Sequence, residues 1–240
     1  MRIALLGSGE FEPWSVVVDR WAVDGSGDGR VVIVPTASAP EGDDAFAGWA
    51  SKALEHYGRL GIDAEVLPLK TREQAHDTSI AGLIRDASAV YFSGGNPYYL
   101  AQTIEGTRFW HVLLEELDRG VAYVGCSAGV ACLTEMTYDT SVDDILSDEA
   151  YKPGLGFVHR TLFAPHWDHV EEWFPGAHAY LAERTPPGET LIGLDEDTAM
   201  VGDGAGWKVL GHAGVHVYHD GSWDHHTAGS GFDLALDLAR

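Results

Sequence analysis

The chain has 240 residues, 45% apolar and 22% charged, with 29 glycines and 10 prolines, which excludes a disordered, collagenous or coiled-coil protein. Against 15 Lys and Arg stand 37 Asp and Glu, a formal net charge of −22, and no local basic stripe offsets it, so nucleic acid and anionic membrane are not expected partners. Cys126 and Cys132 form no disulfide framework and no zinc-type spacing, which fits a reducing compartment.

The apolar run at 3–6 is too short for a secretory signal core and no stretch of about eighteen apolar residues occurs, so the expected location is the cytoplasm. Short runs rich in Val and Ile alternate with longer stretches of helical period, the pattern of an α/β fold whose sheet is mostly parallel and carries helices on both faces. Strands are expected at Arg2–Leu6, Val31–Val34, 64–67, Ala89–Phe92 and 121–124, each followed at once by Gly, Pro or Ser. Between them Asp43–Leu60 places Phe46, Trp49, Ala50, Leu54 and Tyr57 at helical spacing, 79–87 reads as a shorter helix, and 98–120 as a helix interrupted at Gly106. Beyond residue 156 the pattern changes to a strand at 157–165, a helix at 169–184, and short strands over 191–221 separated by polar, glycine-rich turns, which predicts an antiparallel edge. A short helix over 232–240 closes the chain, and no repeat or linker divides it, so one domain over 1–240 is expected.

Gly125-Cys126-Ser127-Ala128-Gly129 follows the strand at 121–124 and precedes a helix expected at 128–134. This is a G-x-S-x-G arrangement in the strand, turn, helix context that holds a serine hydroxyl out over a sheet edge, with the Ala128 amide placed to stabilise an oxyanion. Ser93-Gly94-Gly95-Asn96-Pro97 closes the strand before it in the sheet, and the ligand crevice of an open parallel sheet lies at the carboxyl ends of adjacent strands, so Gly95 is the candidate for a second oxyanion amide.

A serine hydroxyl needs a base, and of the twelve histidines His166 in Phe-Ala-Pro-His-Trp stands directly after an apolar strand, with His169 as its nearest rival. His212, His216, His219, His225 and His226 fall in the antiparallel region and read as turn or strand-face residues. For the carboxylate that must orient the imidazole, Glu135, Asp139, Asp143, Asp144, Asp148 and Glu149 lie between the serine and the histidine, and spacing does not choose among them. The chemistry calls for no metal or other cofactor.

Gly-Gly-Asn-Pro-Tyr-Tyr-Leu at 94–100, Gly-Cys-Ser-Ala-Gly-Val at 125–130, Pro-His-Trp at 165–167, Gly-Ser-Gly-Glu at 7–10 and Val-Pro-Thr-Ala-Ser-Ala at 34–39 together resemble the dipeptidase E and cyanophycinase family of serine peptidases. The resemblance implies a class I glutamine amidotransferase-like fold with flavodoxin-like layering and a monomer or homodimer. It also implies hydrolysis of a small peptide or isopeptide through an acyl-enzyme, with Ser127 as nucleophile, His166 as base and, counting back from Gly156, Asp143 as the acid. Asp139 and Asp144 follow with a small gap. Glu10, Asn96, Trp167 and Asp168 are then expected to line the substrate pocket. Family members that read aspartate carry basic residues after the histidine, whereas this chain has Asp168, Glu171 and Glu172, which favours a free amine or a basic side chain over a carboxylate. An amidotransferase would place cysteine at the centre of the turn, where this chain has Ser127 and keeps Cys126 one position earlier.

Overall fold

Five parallel strands form one side of an eight-stranded sheet: β1 (Arg2–Leu6), β2 (Val31–Val34), β3 (Ala64–Val66), β4 (Ala89–Phe92) and β5 (Ala122–Cys126), in the spatial order β1, β5, β4, β2, β3, with β3 at the edge. The structure, a computed structural model, describes residues 1–239. Because successive side chains on a strand point to opposite faces, these continuously apolar strands feed two cores at once. Ile3, Leu5, Val32, Val34, Val90, Phe92 and Tyr123 face one, and Ala4, Leu6, Val31, Ile33, Tyr91 and Val124 the other.

The connecting helices cover those faces. The second core takes Val18 and Ala22 from α1 (Val16–Val23) and Ala53 and Tyr57 from α2 (Asp43–Leu60). The first takes residues of α3 (Arg72–His76), α4 (Thr78–Gly82), α5 (Pro97–Ile104) and α6 (Arg108–Asp118). The break between α5 and α6 falls at Glu105 and Gly106, where the left-handed φ of 64° suits glycine. The helix expected at 79–87 is a shorter one, α4, which ends at Gly82, and α3 before it has no counterpart among the expected elements; side-chain caps from Asp77 and Thr71 open the two. α1 has no counterpart among the expected elements, because its opening Val-Val-Val run reads against helix.

After β5 come α7 (Ala128–Ala131), the pair β6 (Met136–Tyr138) and β7 (Tyr151–Pro153), then β8 (Val158–His159) and β9 (Thr161–Pro165). The single strand expected at 157–165 is split at Arg160, whose φ is 50°. The single helix expected at 169–184 is likewise two, α8 (Trp167–Trp173) and α9 (Ala177–Arg184). Pro175 cannot donate an amide bond and Gly176 turns the chain at φ 91°.

β10 (Thr190–Leu194), β11 (Thr198–Gly202), β12 (Gly206–Gly211), β13 (Gly214–His219) and β14 (Ser222–Thr227) supply the expected antiparallel region. β11 and β12, with β15 (Gly231–Asp233), extend the main sheet antiparallel beyond β1. β9, β10, β13 and β14 make a second sheet in which β9 and β10 run parallel, Pro165 opposite Leu194. The helix expected at 232–240 is not formed over the described residues, and Arg240 lies outside them. Phe232, Leu234, Leu236 and Leu238 alternate against the core, a period of two, and β16 (Asp237–Leu238) pairs with β8. Among the described residues no helix is long and apolar enough to cross a membrane.

Candidate active site

All five parallel strands have their carboxyl ends on the same side of the sheet, and the segments that leave β1, β4 and β5 there meet. Leu6 is paired with Cys126 and Phe92 with Gly125, so residues 7–10, 93–96 and 127 emerge side by side. Ser127 sits at the turn into α7 with φ 50° and ψ −104°, a conformation that costs a non-glycine residue on the order of 1–3 kcal/mol and is held by its surroundings. Those surroundings explain the flanking glycines. A Cβ at Gly125 would lie 2.2 Å from the Gly129 carbonyl oxygen, and one at Gly129 would lie 2.5 Å from that of Phe92.

The second sheet delivers the histidine. Pro165 ends β9, His166 takes the left-handed conformation (φ 57°), and its Nε2 lies 2.9 Å from Ser127 Oγ. On the other side of the ring, Nδ1 lies 2.7 Å from Oε1 of Glu196. A carboxylate can only accept, so Nδ1 carries the proton and the Nε2 lone pair faces the serine hydroxyl. Glu196 arrives there because β10 runs parallel to β9 and ends beside it, Leu194 opposite Pro165.

This corrects the expected acid. Asp143 is exposed in the loop between β6 and β7 and makes no hydrogen bond among the described residues. Asp139 accepts from Ser141 and from Asn96 Nδ2, and Asp144 accepts from the Leu146 amide. Glu135 binds the Arg160 amide and the His159 ring, which together hold its carboxyl below the usual range. The carboxylate that meets His166 comes from the turn after β10, beyond the histidine in the chain.

Beside the serine, the Gly94–Gly95 turn is fixed from two sides. The Gly94 amide donates to Glu10 Oε1 at 2.8 Å, and the Asn96 amide to the Ala37 carbonyl at 2.8 Å. A Cβ on Gly94 would stand 3.8 Å from Ser127 Cβ, while one on Gly95 (φ 137°) would collide with the Ala37 carbonyl at 2.4 Å. Among the described residues the amides of Gly95 and Ala128 have no protein acceptor.

Four residues expected in the substrate pocket are otherwise engaged. Glu10 is buried, 4% exposed, and its Oε2 accepts from Cys126 Sγ at 3.0 Å, so it braces the turn from beneath instead of facing the crevice. Asn96 caps α5 through the Tyr99 amide. Trp167 turns away into the second sheet, its ring lying on Gly193 and stacked 3.9 Å from that of His178. Asp168 accepts the Glu196 amide at 2.8 Å and so fixes the backbone of the carboxylate that meets His166. Glu171 is likewise spent on the amides of Gly176 and His178, leaving Glu172, among the described residues, as the one of the three exposed acids that accepts no backbone amide. The aromatic group beside His166 is Trp173, 52% exposed, with its ring centroid 5.4 Å from the imidazole.

Cys126 is excluded as a nucleophile by its environment. Burial, and then the adjacent Glu10 carboxylate, push its thiol well above the ordinary range, and burial pushes Cys132 up to about 12. Since the thiolate is the reactive form, neither cysteine of the native protein is expected to take up iodoacetamide at pH 7.5, and both are expected to do so in guanidinium. Intact-mass spectrometry reads this; a native adduct on Cys126 would contradict the assignment.

The model of peptidase family S51 matches residues 3–210. The chain belongs to that family. It is 32% identical to an uncharacterized peptidase of Listeria innocua over 114 residues, 47% of this chain and 52% of that protein. A cyanophycinase of Trichormus variabilis is 23% identical over 205 residues, 80% of this chain and 64% of the relative. The chain therefore spans between about half and two thirds of the length of these two relatives. The crystal structure of a peptidase from an acI-B1 Actinobacterium superposes with a TM-score of 0.87 at 29% identity, covering 97% of this chain and 96% of that one.

Proposed function

We propose that this S51 family member is a serine peptidase that hydrolyses a small peptide or isopeptide through an acyl-enzyme. The observation that carries the reading is the continuous chain Ser127 Oγ, His166 Nε2, His166 Nδ1, Glu196 Oε1, with spacings of 2.9 and 2.7 Å. Each link has the role that nucleophilic catalysis needs. As Ser127 Oγ attacks the scissile carbonyl carbon, its proton passes to His166 Nε2, and Glu196 stabilises the imidazolium that results. The carbonyl oxygen, now negative, falls to the amides of Gly95 and Ala128. His166 then returns the proton to the departing amine as the C–N bond breaks. Water repeats the sequence on the ester and frees Ser127.

The family and its peptidase relatives support this chemistry, and the protonated, buried Cys126 disfavours the glutaminase alternative. An exposed Trp173 lies beside His166, and among the described residues no Lys or Arg is hydrogen-bonded or ion-paired to Ser127, His166 or Glu196, which disfavours a pocket built to read a carboxylate. A short substrate cleaved from one end is the reading the resemblance favours.

The test is intact-mass spectrometry after incubation with a fluorophosphonate, on the wild type and on Ser127→Ala. One stoichiometric adduct on the wild type and none on the variant is expected. A wild type that takes up no adduct, or a variant that still does, would overturn the proposal.

A further inference from the structure

β10 ends at Leu194, and Asp195, Glu196 and Asp197 turn the chain into β11. Asp195 is only 7% exposed. Its Oδ2 accepts the Gly214 amide at 2.9 Å, and its own amide donates back to the Gly214 carbonyl at 3.2 Å. Both its carboxylate oxygens lie 2.9 Å from Nε2 of His216. On the far side of that ring, His216 Nδ1 lies 2.7 Å from Nδ1 of His225, its register partner on the exposed edge strand β14.

We propose that Asp195, His216 and His225 form a positioning chain that holds the Glu196 turn against His166. The proposal rests on the reading of Glu196 as the orienting carboxylate. The turn is gripped from two directions: Asp168 takes the Glu196 amide from the side of α8, and β13 takes Asp195 through Gly214 and His216. A nearly buried carboxylate that loses one of its donors is costly to keep in place, so it moves toward water and carries its chain neighbour with it. Glu196 is that neighbour, and a displacement of about 1 Å at a reacting centre costs as much as a hundredfold in rate.

The proton count of the chain is also set by geometry. The carboxylate can only accept, so His216 Nε2 carries a proton, and the neutral His216 ring then accepts at Nδ1 from the Nδ1–H of His225. When both rings are doubly protonated, two N–H groups face each other across 2.7 Å. The rings cannot keep that contact, and the chain opens on acidification. The groups facing it are Asp195 from the end of β10, His225 and His226 from β14, His212 from the turn before β13, and the Trp167 ring of α8 at 6.2 Å. Burial holds His226 below the ordinary histidine range; Asp224 opposes that, and His225 and His216 add to it. Among the described residues no Lys or Arg lines the cleft. Acid therefore builds positive charge there with Asp195 as its nearest counter-ion.

The experiment measures the rate of Ser127 labelling by the fluorophosphonate between pH 5 and 9, on the wild type, His216→Ala, His216→Gln and His225→Ala. Proton NMR of the downfield imidazole signal that Glu196→Gln removes is recorded beside it. His216→Ala is expected to slow labelling at pH 8 by between about tenfold and a hundredfold and to lose the downfield signal, with an unchanged far-ultraviolet spectrum. His216→Gln, which keeps an N–H donor for Asp195 and does not titrate, is expected to restore the rate. Its acid limb should fall with one proton where the wild type falls with two. Should His216→Ala not fold, His225→Ala on the exposed edge carries the same test through its loss of the second proton. Wild-type labelling with the downfield signal intact in His216→Ala, or a two-proton limb retained in His216→Gln or His225→Ala, would overturn the chain. An unlabelled wild type would instead overturn the reading of Ser127 on which it rests.

Discussion

His166→Ala is expected to lower kcat for any peptide this protein cleaves by about 10⁵- to 10⁶-fold, and His169→Ala by less than about tenfold. The two histidines stand three positions apart at the start of α8 and share the same carboxylate, so only geometry separates them. His166 Nε2 is 2.9 Å from the serine hydroxyl, while the ring nitrogens of His169, which stacks on Trp173, meet only acids: Nε2 is 3.7 Å from Glu196 Oε2 and 3.9 Å from Asp168, and Nδ1 is 3.6 Å from Glu172. Without the His166 ring the Ser127 proton has nowhere to go, and members of a unit that acts together each cost nearly the whole effect when removed. Without the His169 ring Glu196 loses a neighbour 3.7 Å away and keeps both its bond to His166 and its backbone anchor on Asp168. Steady-state kinetics on the two variants, with circular dichroism to show that they fold, decides it. Equal losses would move the base or make the pair a single unit.

The difference between what the sequence revealed and what it hid follows the distance along the chain over which each feature is specified. The Ser127 turn is local: an apolar strand, small residues at 125 and 129, and a helix start are all within a few positions, and the close approaches at both glycines show why no side chain fits. His166 is local in the same way, since Pro165 ends a strand and the next residue must leave its carboxyl end. Trp167 shows the limit of that logic. A residue one step further along a helix is rotated by about 100° from its neighbour, so adjacency to His166 in sequence sends the indole to the opposite side, and Trp173 two turns later returns to the site. Glu10 lies at a strand end as expected, but a side chain there can fold inward as well as out. The donors it meets, the Gly94 amide and the Cys126 thiol, belong to two other strands. The terminal segment misleads for a different reason. Its alternation of Phe232, Leu234, Leu236 and Leu238 is a strand period, and the good helix formers among those residues conceal it.

Glu196→Gln is expected to reduce kcat by about 10³- to 10⁴-fold with the fold intact, and Asp143→Ala to leave it within about twofold. The amide of glutamine can still meet His166 Nδ1, but its NH₂ group can present a donor there. The ring then keeps its proton on Nε2, facing the serine that needs to give one up. That wrong tautomer is the source of the loss, and it differs from a cavity or a missing bond, which Glu196→Ala would test separately. Asp143 has no such leverage, being exposed and without a hydrogen-bond partner among the described residues. The reason a count within one segment could not find the acid is tertiary. β9 and β10 lie 24 residues apart from the end of one to the start of the other, with two helices between, and only their parallel pairing brings the residues after Leu194 beside the residue after Pro165. The signal that could have found it was nonetheless present: Leu-Ile-Gly-Leu at 191–194 is an apolar strand followed at once by Asp-Glu-Asp, the same strand-then-polar grammar that marks Ser127 and His166. A large loss in Asp143→Ala with Glu196→Gln unaffected would restore the acid to the loop between β6 and β7 and require that loop to close over His166 when substrate binds.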